Sequence, residues 1–221
     1  MDVITALAQR KSTRAFLDKT VEPEIIDTIL DAARHAPSGV NTQPWQVAVV
    51  TGKTKLKLQS RIEQAFRAGD KGKADYQYYP NEWIEPYASR RKDCGLLMYK
   101  TLGIMREDKQ RQVDQWAANY RAFDAPVLLL FFIDAVMQTG SYIDYGMFLQ
   151  SVMLAAVDQG LATCPQASLA DYPEIIKIEL DYPKETILLC GMALGYGDDD
   201  ALVNSYRTSR EDIATFTRYY K

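Results

Sequence analysis

Four short stretches hold the side chains with chemical potential. The first is Arg10-Lys-Ser-Thr-Arg14, with three cations and two hydroxyls in five residues. Such a cluster can clamp a phosphate through charge-assisted hydrogen bonds, or it can stand as a solvated basic turn. The second, Ala36-Pro-Ser-Gly-Val-Asn-Thr-Gln-Pro-Trp45, joins a helical pattern to a strand pattern. Its Ser38, Asn41 and Gln43 offer the donors and acceptors a polar heterocycle with a sugar-like chain would use. A turn whose side chains satisfy their own backbone is the plainer alternative, although ten residues exceed what a turn needs. The third, Ala162-Thr-Cys-Pro-Gln-Ala-Ser168, can turn backbone N–H groups toward a ligand, with Pro165 stiffening it. The fourth, Arg207-Thr-Ser-Arg210, again pairs cations with hydroxyls.

Other chemistries find little support. His35 is the single histidine, so a Ser-His-Asp triad would rest on it alone and a His-based zinc site would lack partners. It reads as a hydrogen-bonded structural residue. Cys164 is the obvious nucleophile, but in its apolar setting it reads as an inert core thiol. Asp198-Asp-Asp200 lacks the glycine and distal glutamate of a calcium loop and reads as a solvated turn. No GxGxxG follows a strand pattern, and there is no GxxxxGK[ST] phosphate loop.

The elements that must position these residues follow from periodicity. Asp2 can cap a short helix carrying Val3, Ile4 and Leu7. A second helix opens at Glu22-Pro23, carries Ile25, Ile26, Ile29, Leu30 and Ala33, and ends before Pro37. Gln46–Thr51 is β-branched and short, hence a strand, and residues 55–68 form an amphipathic helix. Residues 69–94 are rich in aromatics and turns, with Tyr76, Tyr78, Tyr79, Trp83 and Tyr87. Such a stretch is either functional or a loop whose aromatics pack down. Pro126–Ile133 reads as a central strand. From Tyr142 to Gln159 apolar residues run all the way round, which predicts a helix buried on every side, stopped by Gly160. Glu174–Leu180 reads as a helix and Thr186–Leu194 as a strand.

The 221 residues, 47% hydrophobic and 25% charged, carry a net charge of −3 and suit one mixed α and β domain over residues 1–221. Near-neutral charge gives no support to nucleic-acid or membrane-surface binding. Three cysteines without a CxxC pair point to a reducing compartment, and residues 1–16 lack a signal-peptide apolar stretch. The longest strongly apolar run, Val127–Ile133, falls far short of the ~20 residues of a membrane helix. These features predict a cytoplasmic protein.

Taken in order and spacing, Arg10–Arg14, Ala36–Trp45, Gly191-Met-Ala-Leu-Gly-Tyr196 and Arg207–Arg210 resemble the FMN-dependent nitroreductase family, over essentially the whole chain. The resemblance implies an α+β fold, a mixed, largely antiparallel sheet wrapped by helices, built as an intertwined homodimer with two shared FMN sites. It implies that Arg10, Lys11, Ser12 and Arg14 hold the FMN phosphate and ribityl chain, joined by Arg207 and Arg210. From the other subunit, Pro37, Ser38, Gly39 and Asn41 would line the ring, with Gln43 beside them. Pro165, Gln166, Ala167 and Ser168 match the segment beside flavin N5. Many relatives carry acidic and glycine residues where Ala167 and Ser168 stand, so the contact there rests on backbone.

The implied reaction is ping-pong. NADH or NADPH reduces FMN, and a nitroaromatic, quinone or similar acceptor reoxidises it at N5, with no catalytic side chain. Trp83, Tyr87, Trp116 and Tyr120 are the candidate acceptor contacts, since aromatic faces suit planar acceptors. Same-fold alternatives are reductive dehalogenation, oxygen-dependent destruction of FMN, and a non-catalytic flavin-binding dimer. A thiol enzyme on Cys164 is the alternative outside the fold. Nothing in the sequence reports on the ribose phosphate, so NADH and NADPH stand equal.

Overall fold

The computed structural model describes all 221 residues and is built around a four-stranded sheet of order β1-β2-β4-β3. The strands are β1 (Gln46–Val50), β2 (Val127–Asp134), β3 (Ala162–Gln166) and β4 (Thr186–Gly195). All three strand pairings are antiparallel, and the only parallel pairing is an isolated bridge between Ser12 and Thr163. The helices are α1 (Val3–Gln9), α2 (Pro23–Ala33), α3 (Gly52–Arg67), α4 (Tyr87–Thr101), α5 (Lys109–Ala117), α6 (Gly140–Asp158), α7 (Pro173–Leu180) and α8 (Ile213–Phe216). The expected helix-wrapped, largely antiparallel sheet is therefore observed.

β2 is apolar on both faces because both faces are covered. Val127, Leu129, Phe131 and Ile133 pack with Ile26, Ile29, Phe148 and Val152 of α2 and α6. Leu128, Leu130 and Phe132 pack with Leu58, Ile62 and Ile176 of α3 and α7. Each such side chain removed from water contributes about 1.5–3 kcal/mol. A bulge interrupts the β2–β4 register between Phe131 and Phe132, leaving Leu189 unpaired in the ladder. The Tyr76 hydroxyl donates to the Leu189 carbonyl (2.6 Å), and the Asp75 carboxylate accepts from the Leu188 N–H (3.0 Å). One end of the aromatic segment is thus fastened to the sheet where the ladder leaves polar groups free.

Some expectations need correction. Residues 69–94 are not irregular throughout, since α4 begins at Tyr87. Its period is concealed because Leu96, Leu97, Met98 and Tyr99 are consecutive, and none of its residues is buried. α6 is not buried on every side within the chain. α1 and α2 cover it on one side, while Ile143 (71% exposed) and Met147 remain open on another. Ala162–Gln166 forms an edge strand, a position that tolerates Pro165 because its missing N–H costs no ladder bond there. Of the candidate acceptor contacts, Trp116 lies on α5, whereas Tyr120 lies in a 3₁₀ stretch (Ala118–Asp124) with left-handed backbone at Ala122 and Phe123.

Close packing at the end of β4 is a point of sensitivity. A Cβ on Gly195 would lie 2.5 Å from Cδ of Pro126, part of a ring that cannot rotate away. Gly195→Ala is expected to destabilise the protein by about 1–3 kcal/mol through overpacking, measured as a lowered midpoint in urea unfolding.

Candidate cofactor site

α1 is capped by Asp2, whose carboxylate accepts from the Thr5 N–H (2.9 Å), and it ends at Gln9. The chain then runs past the outer edge of β3. Thr13 donates its N–H to the Thr163 carbonyl (3.0 Å), next to the Ser12–Thr163 bridge. This fixes the Arg10–Arg14 stretch against the sheet.

The C-terminal part of the chain closes on the same place through Asn204, which is buried. Its Oδ1 accepts from the Arg14 N–H (2.7 Å), and its Nδ2 donates to the carbonyls of Ala15 (2.9 Å) and Asp198 (2.7 Å). The Lys11 ammonium donates to its backbone carbonyl (2.8 Å) and lies 3.6 Å from Asp199. Sequence reasoning missed Asn204, because an asparagine that organises two remote segments leaves no local pattern. The Asp198–Asp200 turn takes part in this network, and no group of three His, Cys, Asp or Glu side chains converges as a metal site.

The result is a cavity of about 500 Å³ lined by Arg10, Lys11, Ser12, Arg14, Arg207 and Arg210, with Cys94, Gln150 and Tyr206 beside them. This lies within the usual range of about 300–1,000 Å³ for small-molecule sites. None of the four arginines forms an ion pair. The Arg14 guanidinium reaches the Ser12 carbonyl (3.3 Å) and the Tyr206 hydroxyl (3.4 Å). Arg207 donates to the carbonyls of Ala8, Gln9 and Arg10, so it also satisfies the free C-terminal end of α1. Arg210 reaches the Thr208 hydroxyl (2.8 Å) and the Ser209 carbonyl (2.8 Å). Burial, and then the nearby Arg210 and Arg207, hold the Arg10 guanidinium below its ordinary pKa. Like charges gathered without a carboxylate are the electrostatic form of an anion site.

A second observation falls beside the first. Three buried side-chain atoms have no hydrogen-bond partner in the chain: Thr163 Oγ1, Gln166 Oε1 and Ser168 Oγ. All lie on β3 or the 3₁₀ turn after it (Ala167–Asp171). Gln166 spends its amide N–H on the Asn119 carbonyl (2.6 Å), which leaves its oxygen free. Pro165 is exposed and Ala167 half-buried, so the segment has an open side.

The second predicted stretch stands apart from this cavity within the chain. Gly39 is held to α6 by its N–H donating to Asp144 (3.2 Å), while the cavity meets α6 at Gln150, about 9 Å further along the axis at 1.5 Å per residue. Ser38 Oγ accepts from the Gln43 N–H (2.9 Å). Val40, Asn41 and Gln43 all have positive φ, and Val40 is 97% exposed. A β-branched residue held there stores strain of order 1–3 kcal/mol, a feature that clusters at ligand-binding sites. Pro37 is exposed at the start of this loop.

The aromatic candidates divide. Trp83 is half-buried against Tyr79, Tyr87 opens α4, and Trp116 is exposed on α5. Tyr120 is buried between Phe66 and Tyr172. His35 is exposed with no side-chain hydrogen bond, which corrects the expectation of a hydrogen-bonded structural residue. It lies just past the end of α2, where the neighbouring Arg34 pairs with Asp31 instead.

With this α+β architecture and cationic cleft in place, likeness to known proteins is specific. Residues 7–196 match the Nitroreductase family, and the chain belongs to that family. It is 37% identical over 218 residues to the 4-nitrobenzoate reductase of Pseudomonas putida, covering 99% of this chain and 95% of that protein. It is 36% identical over 217 residues to the chloronitrobenzene nitroreductase of Comamonas testosteroni, covering 96% and 94%. Among solved structures, the FMN- and NADPH-dependent nitroreductase NfnB from Sphigopyxis sp. strain HMH superposes with a TM-score of 0.97 at 37% identity, covering 100% of both chains.

Cys164 sits in an environment that disfavours the thiolate a nucleophile requires. It is buried, and burial pushes its thiol up to about 11, with Arg14, Ser12 and Arg10 opposing only in part. At pH 8 iodoacetamide is therefore expected to label the exposed Cys94 and leave Cys164 unmodified in the native protein, read by peptide mass spectrometry.

Proposed function

We propose that the protein is an FMN-dependent NAD(P)H oxidoreductase that reduces nitroaromatic, quinone or similar acceptors, with residues 1–221 serving as one FMN-binding domain. The observation that carries this reading is the cluster of four arginines without a counter-anion beside an edge strand with orphaned polar atoms. Bound FMN would supply the redox chemistry, accepting two electrons and a proton from NADPH or NADH and passing them to the acceptor.

The chain's own residues bind and orient. Arg10, Lys11, Ser12 and Arg14 would hold the phosphate and ribityl chain, with Arg207 and Arg210 adding charge. An FMN phosphate brings roughly −1.5 to −2 charges, the quantity this cluster lacks. Pro165, Gln166, Ala167 and Ser168 would line the redox-active edge, where an additional donor would satisfy Gln166 Oε1. No histidine lines the cavity, and the one thiol that does is Cys94. The protein's contribution is electrostatic and steric rather than acid–base.

The proposal includes a homodimer in which Pro37, Ser38, Gly39, Asn41 and Gln43 of a second copy complete each site. It is supported by the strain of that loop and by the open apolar face of Ile143 and Met147 on α6 beside Val3, Ile4 and Leu7 of α1. Trp83, Tyr87 and Trp116 would contact the acceptor, with Tyr120 backing them from inside the chain. Donor and acceptor would bind in turn. A cytoplasmic location fits three free thiols, and no helix is long and apolar enough to cross a membrane.

An anaerobic visible spectrum tests the reading. Protein saturated with FMN is expected to bleach on adding NADPH or NADH and to recolour on adding a nitrobenzoate or a quinone. Colour that resists both nucleotides would instead indicate a non-reductase flavoprotein. Arg10→Met is expected to weaken FMN binding by about 10–100-fold through loss of a charge-assisted contact. The same change should leave the FMN-free protein as stable or more so, because it relieves repulsion from Arg207 and Arg210. Fluorescence titration and thermal unfolding check the two halves.

A further inference from the structure

The substrates in the names of the two curated relatives, one neutral and one a carboxylate, do not decide which kind of acceptor this chain prefers. Its own surface bears on that choice. α4 begins at Tyr87 and carries Arg90, Arg91 and Lys92 within its first two turns, with no acid in the first. Cations near a helix N-terminus oppose the macrodipole and cost a few tenths of a kcal/mol each. Glu85 partly answers the helix end, accepting from the Ser89 N–H (3.4 Å).

The two arginines are used differently. Arg90 is tied to Glu211 (2.9 Å) and lies 5.8 Å from the Tyr87 ring. Arg91 forms no ion pair and makes no hydrogen bond, and its guanidinium sits 5.2 Å over the Trp83 ring, which in turn packs against Tyr79 at 5.6 Å. A cation–π contact holds a guanidinium near the ring face and consumes none of its N–H groups. Position matters as much. Tyr87, Arg91 and Cys94 fall at i, i+4 and i+7 on one face of α4, and Cys94 lines the cationic cavity. Arg91 therefore lies one turn beyond that cavity, on the side of the aromatic cluster.

We propose that Arg91, held over Trp83, makes the acceptor site selective for aromatic acceptors that carry a carboxylate. The inference rests on the reductase reading above. The aromatic ring would meet the Trp83 and Tyr79 side chains, and the carboxylate would take the free fork of the guanidinium, a pairing of matched planar geometry.

The experiment compares 4-nitrobenzoate with nitrobenzene, using FMN-loaded protein and NADPH. Wild-type protein is expected to favour 4-nitrobenzoate in kcat/KM, and added salt should narrow the margin. Arg91→Gln should lower kcat/KM for 4-nitrobenzoate about tenfold more than for nitrobenzene, mainly through KM. Arg91→Lys should restore part of the preference, because it keeps the charge and loses the fork. Unreactive benzoate, titrated by tryptophan fluorescence, should bind about tenfold more weakly to Arg91→Gln, a readout free of turnover. Equal losses on both acceptors, or no loss on either, would overturn the proposal. Wild-type protein that bleaches with NADPH yet reduces neither acceptor would overturn the reductase reading, and this inference with it.

Discussion

Repulsion among Arg10, Arg14, Arg207 and Arg210 is the constraint around which the rest of the site is arranged. A chain left to itself would spread these charges into water, so other contacts must hold them together. Backbone and amide hydrogen bonds do so. Asn204 joins residues 11–15 to residues 198–204, the Ser12–Thr163 bridge fixes the first arginines against the sheet edge, and Arg207 is anchored on the last carbonyls of α1. The positioning groups are nearly all uncharged, which leaves the positive field unquenched for a ligand. Binding an anion there stabilises the folded chain by mass action.

The sheet and α6 supply the rigid frame. β2 lies between β1 and β4 and is packed on both faces, so its neighbours have little freedom to shift. α6 touches the cavity at Gln150 and holds the strained loop at Gly39 through Asp144. One helix thereby links the two polar stretches that the chain itself does not bring together. Its apolar side at Ile143 and Met147 stays open, and α1, which packs against α6, also exposes Val3, Ile4 and Leu7.

The chemistry is divided between protein and cofactor. Burial favours the neutral thiol of Cys164, and the lone histidine, His35, does not line the cavity. What remains is charge, shape and aromatic surface. The aromatic segment is secured at Tyr76 to the bulge in β4, while Tyr78, Tyr79 and Tyr87 stay exposed. A segment fixed at one end and open along its length suits the part of a site that varies with the acceptor.

The sequence by itself determined most of the frame and marked the two basic stretches that meet in the cavity. Period and punctuation are local properties: Pro23 opens α2, the spacing of Leu58 and Ile62 marks α3, and the unbroken apolar run of β2 declares a strand covered on both sides. The density of Arg, Lys and Ser at 10–14 is equally local. Only the tertiary structure decided that Arg207 and Arg210 meet Arg10 some 200 residues away, that Asn204 is the joint between them, and that Pro165 sits on an edge. It also decided that Ile143 and Met147 stay uncovered although α6 is apolar all round, and that α4 starts within the aromatic stretch. These outcomes depend on which surfaces remain after packing. Pattern along a chain records whether a residue prefers burial, whereas long-range closure decides what buries it.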